Sequence, residues 1–316
     1  MTVAPHASML YERILITGAN GLLGQALVAQ FSRLARYDVL ATGNNPGPRF
    51  QRASCGYVPL DVTQKASVQQ IFQDFAPTVV INCAALTEVD RCETNREECW
   101  KVNAEAVETL AQRCRKNGAR FIQVSTDFVF DGDSGPYGER ARPQPVNAYG
   151  KAKLAGENAA REAGRDRWTV IRTSVVYGTA DGLPRNNFAL WVLDELSHGR
   201  TIRVFTDQIR TPTYAPDLAR CIERIVHFGK TGVYHVSGRD CVSMHAFAHA
   251  TAGTFDLDCT LIQPTDSDTL RLKAVRPLHT GLLILKAETE IDYKPRTIQD
   301  ALTHLRQCRT RPAVTR

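Results

Sequence analysis

The stretch Arg13-Ile-Leu-Ile-Thr-Gly-Ala-Asn-Gly-Leu-Leu-Gly24 decides the fold class. Residues 13–17 form a short apolar run of strand type, and the next seven residues place glycine at 18, 21 and 24. Glycines let a backbone turn tightly and come close to a phosphate, while the helix that follows points its N-terminus at the negative charge. The spacing is GxxGxxG, not the more common GxGxxG. A plain tight turn stays open as an alternative, but a glycine turn directly after a first strand favours a pyrophosphate site.

Working outward, strand and helix signals alternate. The turn opens a helix over residues 21–34. Strands are expected at 39–41, 57–60, 78–82, 121–124 and 168–171. Val68, Ile71, Phe72 and Phe75 share one helix face, which Thr63 is placed to cap. Val107, Leu110, Ala111 and Cys114 repeat that spacing before Gly118, and another helix covers 148–163. Continuous apolar strands alternating with helices predict an α/β fold, a doubly wound parallel sheet of Rossmann type. Residues 131–145 read as a loop over the sheet edge. Beyond Gly178 the alternation weakens, and prolines at 184, 212, 216, 264 and 277 punctuate shorter elements. The expected division is a nucleotide-binding unit over 1–180 and a smaller substrate lobe over 181–316, with strands from about 201–238 returning to the first unit.

Composition narrows the function. The chain has 316 residues, 43% hydrophobic and 23% charged, which fits a globular protein of enzyme size and excludes a disordered one. Its net charge of +6 is concentrated by Arg306, Arg309, Arg311 and Arg316 in an acid-free tail, too little and too local for a nucleic-acid partner. Nine scattered cysteines form no CxxC pair, which points to reduced thiols rather than a zinc or disulfide framework. No HExxH spacing occurs, and no metal is expected. The uncharged run 14–32 contains three glycines, one asparagine and two glutamines. It predicts neither a membrane span nor a signal peptide, so a cytoplasmic protein is expected.

Cofactor choice turns on the end of the second strand. An NAD site places an acid about 20 residues beyond the glycines to hold the ribose hydroxyls. Here that stretch reads Thr42-Gly43-Asn44-Asn45, with no acid before Asp61, and Arg49 and Arg52 follow. A missing carboxylate with arginine nearby favours NADP(H), with NAD(H) possible and both arginines equally readable as solvated loop residues.

The chemistry gathers at Tyr149 and Lys153, four apart and so on one helix face. A phenol with a pKa near 10 is a poor proton carrier at neutral pH, and a neighbouring ammonium is expected to lower it. Ser125-Thr126 ends the fifth strand, on the side of an open α/β sheet where ligands bind. Thr126 is therefore placed to hydrogen-bond the carbonyl oxygen that Tyr149 would protonate.

With these residues in view, the sequence resembles the extended short-chain dehydrogenase/reductases, and within them the dTDP-4-dehydrorhamnose reductase family. The segments that carry the resemblance are ILITGANGLLG, LDVT at 60–63, NCAALTEVDRCE at 82–93, VN at 102–103, STDFVFDG at 125–132 and NAYGKAKLAGE at 147–157. IRTSVVYG at 171–178, NNF at 186–188, DQIRTPTYAPDLA at 207–219 and RPLHT at 276–280 complete them. The resemblance implies reduction of a ketone on a nucleotide-activated deoxy sugar, with Thr126, Tyr149 and Lys153 as the catalytic trio. It implies a pyrophosphate lined by Gly21, Leu22 and Leu23, with Asp61 and Val62 at the adenine; Gly18, Asn20, Gly24, Asn44 and Arg49 stand beside them as candidate cofactor residues from the turn and the end of the second strand. Ala84, Ala85, Thr87 and Asn103 would follow along the cofactor, and Lys153 would hold the nicotinamide ribose. Thr126, Asp127, Val175, Asn187, Gln208 and Arg210 would border the substrate.

Three departures qualify it. Family members often carry tryptophan where Val175 stands, which leaves a non-nucleotide ketone open as substrate. Many have an acid at Gly43, which bears on the cofactor, and glycine at Arg210. That arginine either grips a diphosphate or carboxylate, or makes a structural ion pair. Related dehydratases carry Thr-Asp-Glu where this chain has Thr126-Asp127-Phe128, so elimination is disfavoured. The chain also resembles the regulatory beta subunit of methionine adenosyltransferase, a binding partner rather than a catalyst. The oligomeric state is left open, with a homodimer as the one assembly named.

Overall fold

The computed structural model describes residues 11–50, 55–270 and 272–310. Arg52, Arg311 and Arg316, singled out above, lie outside them. Seven strands make one fully parallel sheet. In chain order they are β1 (Glu12–Thr17), β2 (Tyr37–Gly43), β3 (Gly56–Pro59), β4 (Val79–Asn82), β5 (Arg120–Thr126), β6 (Trp168–Thr173) and a last strand, Gly232–His235. In space the order is Gly232–His235, β6, β5, β4, β1, β2, β3. The chain reverses direction across the sheet between β1 and β4, and the crevice at such a switch point is where this architecture binds ligands.

The apolar strands are buried on both faces. Ile14 and Ile16 face a core shared with α1 (Leu22–Phe31) and helix Ala215–His227. Leu15, between them, faces the opposite core, shared with α2 (Lys65–Phe75) and α5 (Ala106–Asn117). A strand whose successive side chains enter two different cores has no polar face, which is why its sequence reads as an unbroken apolar run. The smaller lobe packs helices Phe188–Ser197, Met244–Thr254 and Ile298–Thr310 around Tyr177, Tyr214 and Phe247.

Several boundaries differ from the sequence reading. The first helix starts at Leu22, with Gly21 as its N-cap. Thr63 does not cap α2. Gln64 takes the N-cap position, and the Thr63 hydroxyl instead donates to Asp61 Oδ1 at 2.8 Å. Gly118 does end α5, in the left-handed conformation. Between β4 and α5 lie α3 (Val89–Thr94), α4 (Arg96–Trp100) and a π-helical turn, Lys101–Glu105, none of which the periodicity signalled. Of the 201–238 region only Gly232–His235 joins the large sheet, because strand Ile202–Phe205 pairs with Ile262–Thr265 inside the small lobe.

Candidate active site

At the switch point the glycine turn packs against the chain leaving β4. Gly18 has φ +65°, and a Cβ there would sit 2.7 Å from the Ala84 nitrogen. A Cβ on Gly24 would meet the Gly18 carbonyl oxygen at 2.3 Å, so α1 lies directly on the turn. Gly21, by contrast, is exposed, and its Cβ would meet only the Gly18 oxygen, at 3.3 Å. No side chain caps α1 and no acid stands in its first turn, so the helix N-terminus beside Leu22 and Leu23 is left open to an anion. Gly24→Ala is expected to push α1 off the turn at a stability cost of about 1–3 kcal/mol. Thermal unfolding checks this, and an unchanged melting temperature contradicts it.

Two strands away, α6 (Ala148–Gly164) lies against the carboxyl end of β5. Asn147 caps it, its side chain accepting from the Gly150 N–H at 2.8 Å. Gly150 must be glycine, since a Cβ would stand 2.2 Å from the Phe128 carbonyl oxygen. The close approach buries Tyr149 to 8% exposure, edge-on to Phe128 at 6.0 Å and packed with Cys92, Cys99 and Ala152. The Thr126 hydroxyl neighbours the phenol and favours its ionised form, while its own hydrogen bond runs to Asp127 Oδ1 at 3.1 Å. Lys153 is 4% exposed, and its Nζ donates to the Val124 carbonyl at 2.7 Å.

Electrostatics here follow burial. Desolvation pulls the Lys153 ammonium down to about 8, against the opposing pull of the Glu157 carboxylate. On balance the Tyr149 phenol shifts upward, the opposite of the expected direction. Desolvation pushes the phenol up, and the Thr126 hydroxyl recovers only part of the shift. Tyr149 therefore carries its proton at neutral pH, the form that a reduction requires of its acid.

Residues 12–309 match the sequence profile of the family described as RmlD substrate binding domain. The chain belongs to that family. A dTDP-4-dehydrorhamnose reductase of Mycobacterium tuberculosis is 35% identical over 277 residues, 86% of this chain and 84% of that protein. Methionine adenosyltransferase 2 subunit beta of Xenopus tropicalis is 34% identical over 258 residues, 80% of this chain and 75% of its own. The crystal structure of dTDP-4-dehydrorhamnose reductase from Bacillus anthracis in complex with NADP superposes with a TM-score of 0.83. It is 29% identical and covers 94% of this chain and 99% of that one.

In this RmlD-domain chain, several residues expected at the ligand also bond within the protein. The Asn20 amide donates to Tyr57 Oη at 3.0 Å and accepts from the Arg49 N–H at 2.8 Å, so it braces the loop after β2. Asn103, 1% exposed, pairs with both backbone groups of Leu86 at 3.1 and 2.9 Å, fixing the loop that carries Ala84, Ala85 and Thr87. Val62 turns its side chain into the core shared with α2. Asn187 caps helix Phe188–Ser197 and donates to the Gly178 carbonyl at 2.8 Å. Gln208 is buried and donates to Ser267 Oγ at 3.2 Å.

Arg210 makes the structural ion pair. It is 2% exposed and donates to the carbonyls of Ile209, Leu278 and Pro277 at 2.6–2.8 Å, with Nε 3.7 Å from Asp127 Oδ2. Asp127 in turn accepts from Ser174, Thr280 and Thr126. Desolvation raises its carboxyl above the usual range despite Arg210 and the three hydroxyls.

Other expected residues do line the open side. Asn44 and Asp61 are exposed, and Thr63 holds the Asp61 carboxyl below its usual value against partial desolvation. Arg49 reaches the Gly182 carbonyl at 2.8 Å, and Thr87 accepts from Arg185. Val175 is half-buried at φ +39°, an uncommon conformation for a β-branched residue, at the turn after β6.

Sequence reading missed three features. Gln25 bonds both backbone groups of Asp181, at 2.7 and 2.9 Å, so the segment carrying Asp181, Gly182 and Arg185 crosses the glycine turn. Glu157 is fully buried behind Lys153, and the recurrence of Tyr149, Lys153 and Glu157 every four residues was its signal. His245 and His249, four apart on one helix, bring their rings to 4.5 Å, a pair that sequence reading overlooked. Among the described residues no group of three or more His, Cys, Asp or Glu gathers around a metal position, and no helix is long and apolar enough to cross a membrane.

Proposed function

We propose that the protein is an NADPH-dependent reductase of a ketone on a nucleotide-activated deoxy sugar, working in the cytoplasm. The observation that carries this reading is the placement of a buried Tyr149 beside Thr126 and Lys153, at the sheet end that also holds the glycine turn. When bound, NADPH supplies the hydride.

The residues present fit that cofactor. The open N-terminus of α1, at a turn that tolerates no side chain at Gly18 or Gly24, suits a pyrophosphate. The absence of an acid at the end of β2, with Arg49 at the mouth, suits the extra phosphate of NADP(H) over NAD(H). Leu22 and Leu23 would line the pyrophosphate, and Ala84, Ala85 and Thr87 the run toward the nicotinamide. Lys153 would hold the ribose.

Tyr149 gives its proton to the carbonyl oxygen as negative charge develops there. The nearby ammonium of Lys153 eases loss of that proton, and Thr126 orients the phenol. The Lys153 ammonium is present below about pH 8 and lost above it. We therefore expect kcat/KM for reduction to fall as pH rises through about 8. A profile flat to about pH 10, the ordinary range of an exposed lysine, would remove Lys153 from the proton step.

The similarity to the methionine adenosyltransferase beta subunit supports a second reading, a partner-binding protein that keeps the cofactor site. Affinity capture with a methionine adenosyltransferase catalytic subunit, run beside a ketone panel with NADPH, separates the readings. A stoichiometric complex without turnover favours the second. Turnover confined to nucleotide-free ketones retires the sugar substrate.

A further inference from the structure

Helix α6 engages three consecutive residues of β5 with three residues of one face. Tyr149 meets Thr126, Lys153 Nζ donates to the Val124 carbonyl at 2.7 Å, and Glu157 Oε1 accepts from Ser125 Oγ at 2.7 Å. Glu157 is the anchor of this column. It is 0% exposed, and Arg172 from β6 holds it with two bonds, Nε to Oε1 at 2.9 Å and Nη2 to Oε2 at 2.7 Å. Arg161 adds a third, at 3.1 Å.

A buried carboxylate left without cations is strongly unfavourable, and Arg172, itself 1% exposed, supplies the charge from the neighbouring strand. Arg172 is fixed in turn by the Phe130 ring, 5.1 Å away, and by His235 on the edge strand, at 3.4 Å. The cluster thus ties β5, β6 and strand Gly232–His235 to the helix that carries the acid.

We propose that Glu157 is a positioning residue for the reaction, setting the register of α6 on β5 and keeping Lys153 charged beside Tyr149. The proposal rests on the reading of Tyr149 and Lys153 as the proton-handling pair. Groups from every neighbouring element bear on Lys153. Cys83 comes from the end of β4, Cys92 from α3, Cys99 from α4 and Glu157 from its own helix, and of these the Glu157 carboxylate favours the ammonium against desolvation. Among these, Glu157 exerts the largest pull and is the one carboxylate. Asp127, just beyond β5, bears on Tyr149.

The test follows the Lys153 side chain by NMR of carbon-13-labelled lysine across a pH series, without substrate. The wild-type midpoint is expected near 8. Glu157→Gln keeps the shape and removes the charge, and the midpoint should fall by about one pH unit. Glu157→Asp should leave it close to wild type. Because the Gln variant strands Arg172, Glu157→Gln/Arg172→Met is the second arm, in which a smaller drop in the same direction is expected.

In turnover, the alkaline limb of kcat/KM should move to lower pH in the Gln variant and stay in place in the Asp variant. A folded Glu157→Gln protein with an unmoved Lys153 midpoint overturns the proposal while leaving the reductase reading intact. A moved midpoint in a protein that reduces no nucleotide sugar overturns the substrate reading alone.

Discussion

Tyr149→Phe is expected to lower kcat by about 10²–10⁴, the usual contribution of a positioned general acid. The change removes one hydroxyl from a residue 8% exposed and leaves its ring against Phe128, Cys92 and Cys99. Stability should change by no more than about 1 kcal/mol, the scale of one hydrogen bond. The glycine turn and the Asn103-braced loop are untouched, so NADPH affinity should stay within about threefold, a difference of well under 1 kcal/mol. Stopped-flow turnover and a fluorescence titration on the same preparation read the two quantities. A variant that turns over at the wild-type rate takes the phenol out of the mechanism.

Arg210→Leu should act on stability instead. The guanidinium closes three carbonyls and stands against Asp127 inside the protein, over the Phe128 ring at 5.4 Å. Its loss leaves Asp127 buried without a cation, which costs about 3–5 kcal/mol. For a chain of this size the melting temperature should then fall on the order of 10 °C. A substrate-gripping arginine predicts the opposite pattern, with KM raised and melting unchanged. Thermal unfolding beside substrate saturation curves distinguishes the two.

The sequence carried the large sheet because its strands are buried on both faces. Ile14-Leu15-Ile16 and Val79-Val80-Ile81 have no solvent side to interrupt the apolar run. The glycine turn and the pair at 149 and 153 were legible because their geometry is local: a φ of +65°, and one helical turn. What could not be read was the direction of polar side chains whose partners lie far along the chain. Asn20 finds Arg49 and Tyr57, Asn103 finds Leu86, and Arg210 finds Leu278 and Asp127.

A residue type suited to binding a ligand is equally suited to satisfying buried carbonyls, and spacing alone does not separate the uses. The short elements α3, α4 and the π-helical turn also escaped, since five or six residues hold too little periodicity to stand out. That turn places the Asn103 carbonyl oxygen 2.4 Å from where a Cβ on Gly156 would be. The close packing of α6 on its neighbours is a tertiary fact with only a glycine to mark it.

The most direct test of the account is nicotinamide absorbance over time, with purified protein, NADPH and a dTDP-4-dehydro-6-deoxy sugar. The account predicts substrate-dependent loss of the NADPH signal, abolished to within the expected 10²–10⁴ in Tyr149→Phe. No loss, in a preparation shown to bind NADPH, would contradict it.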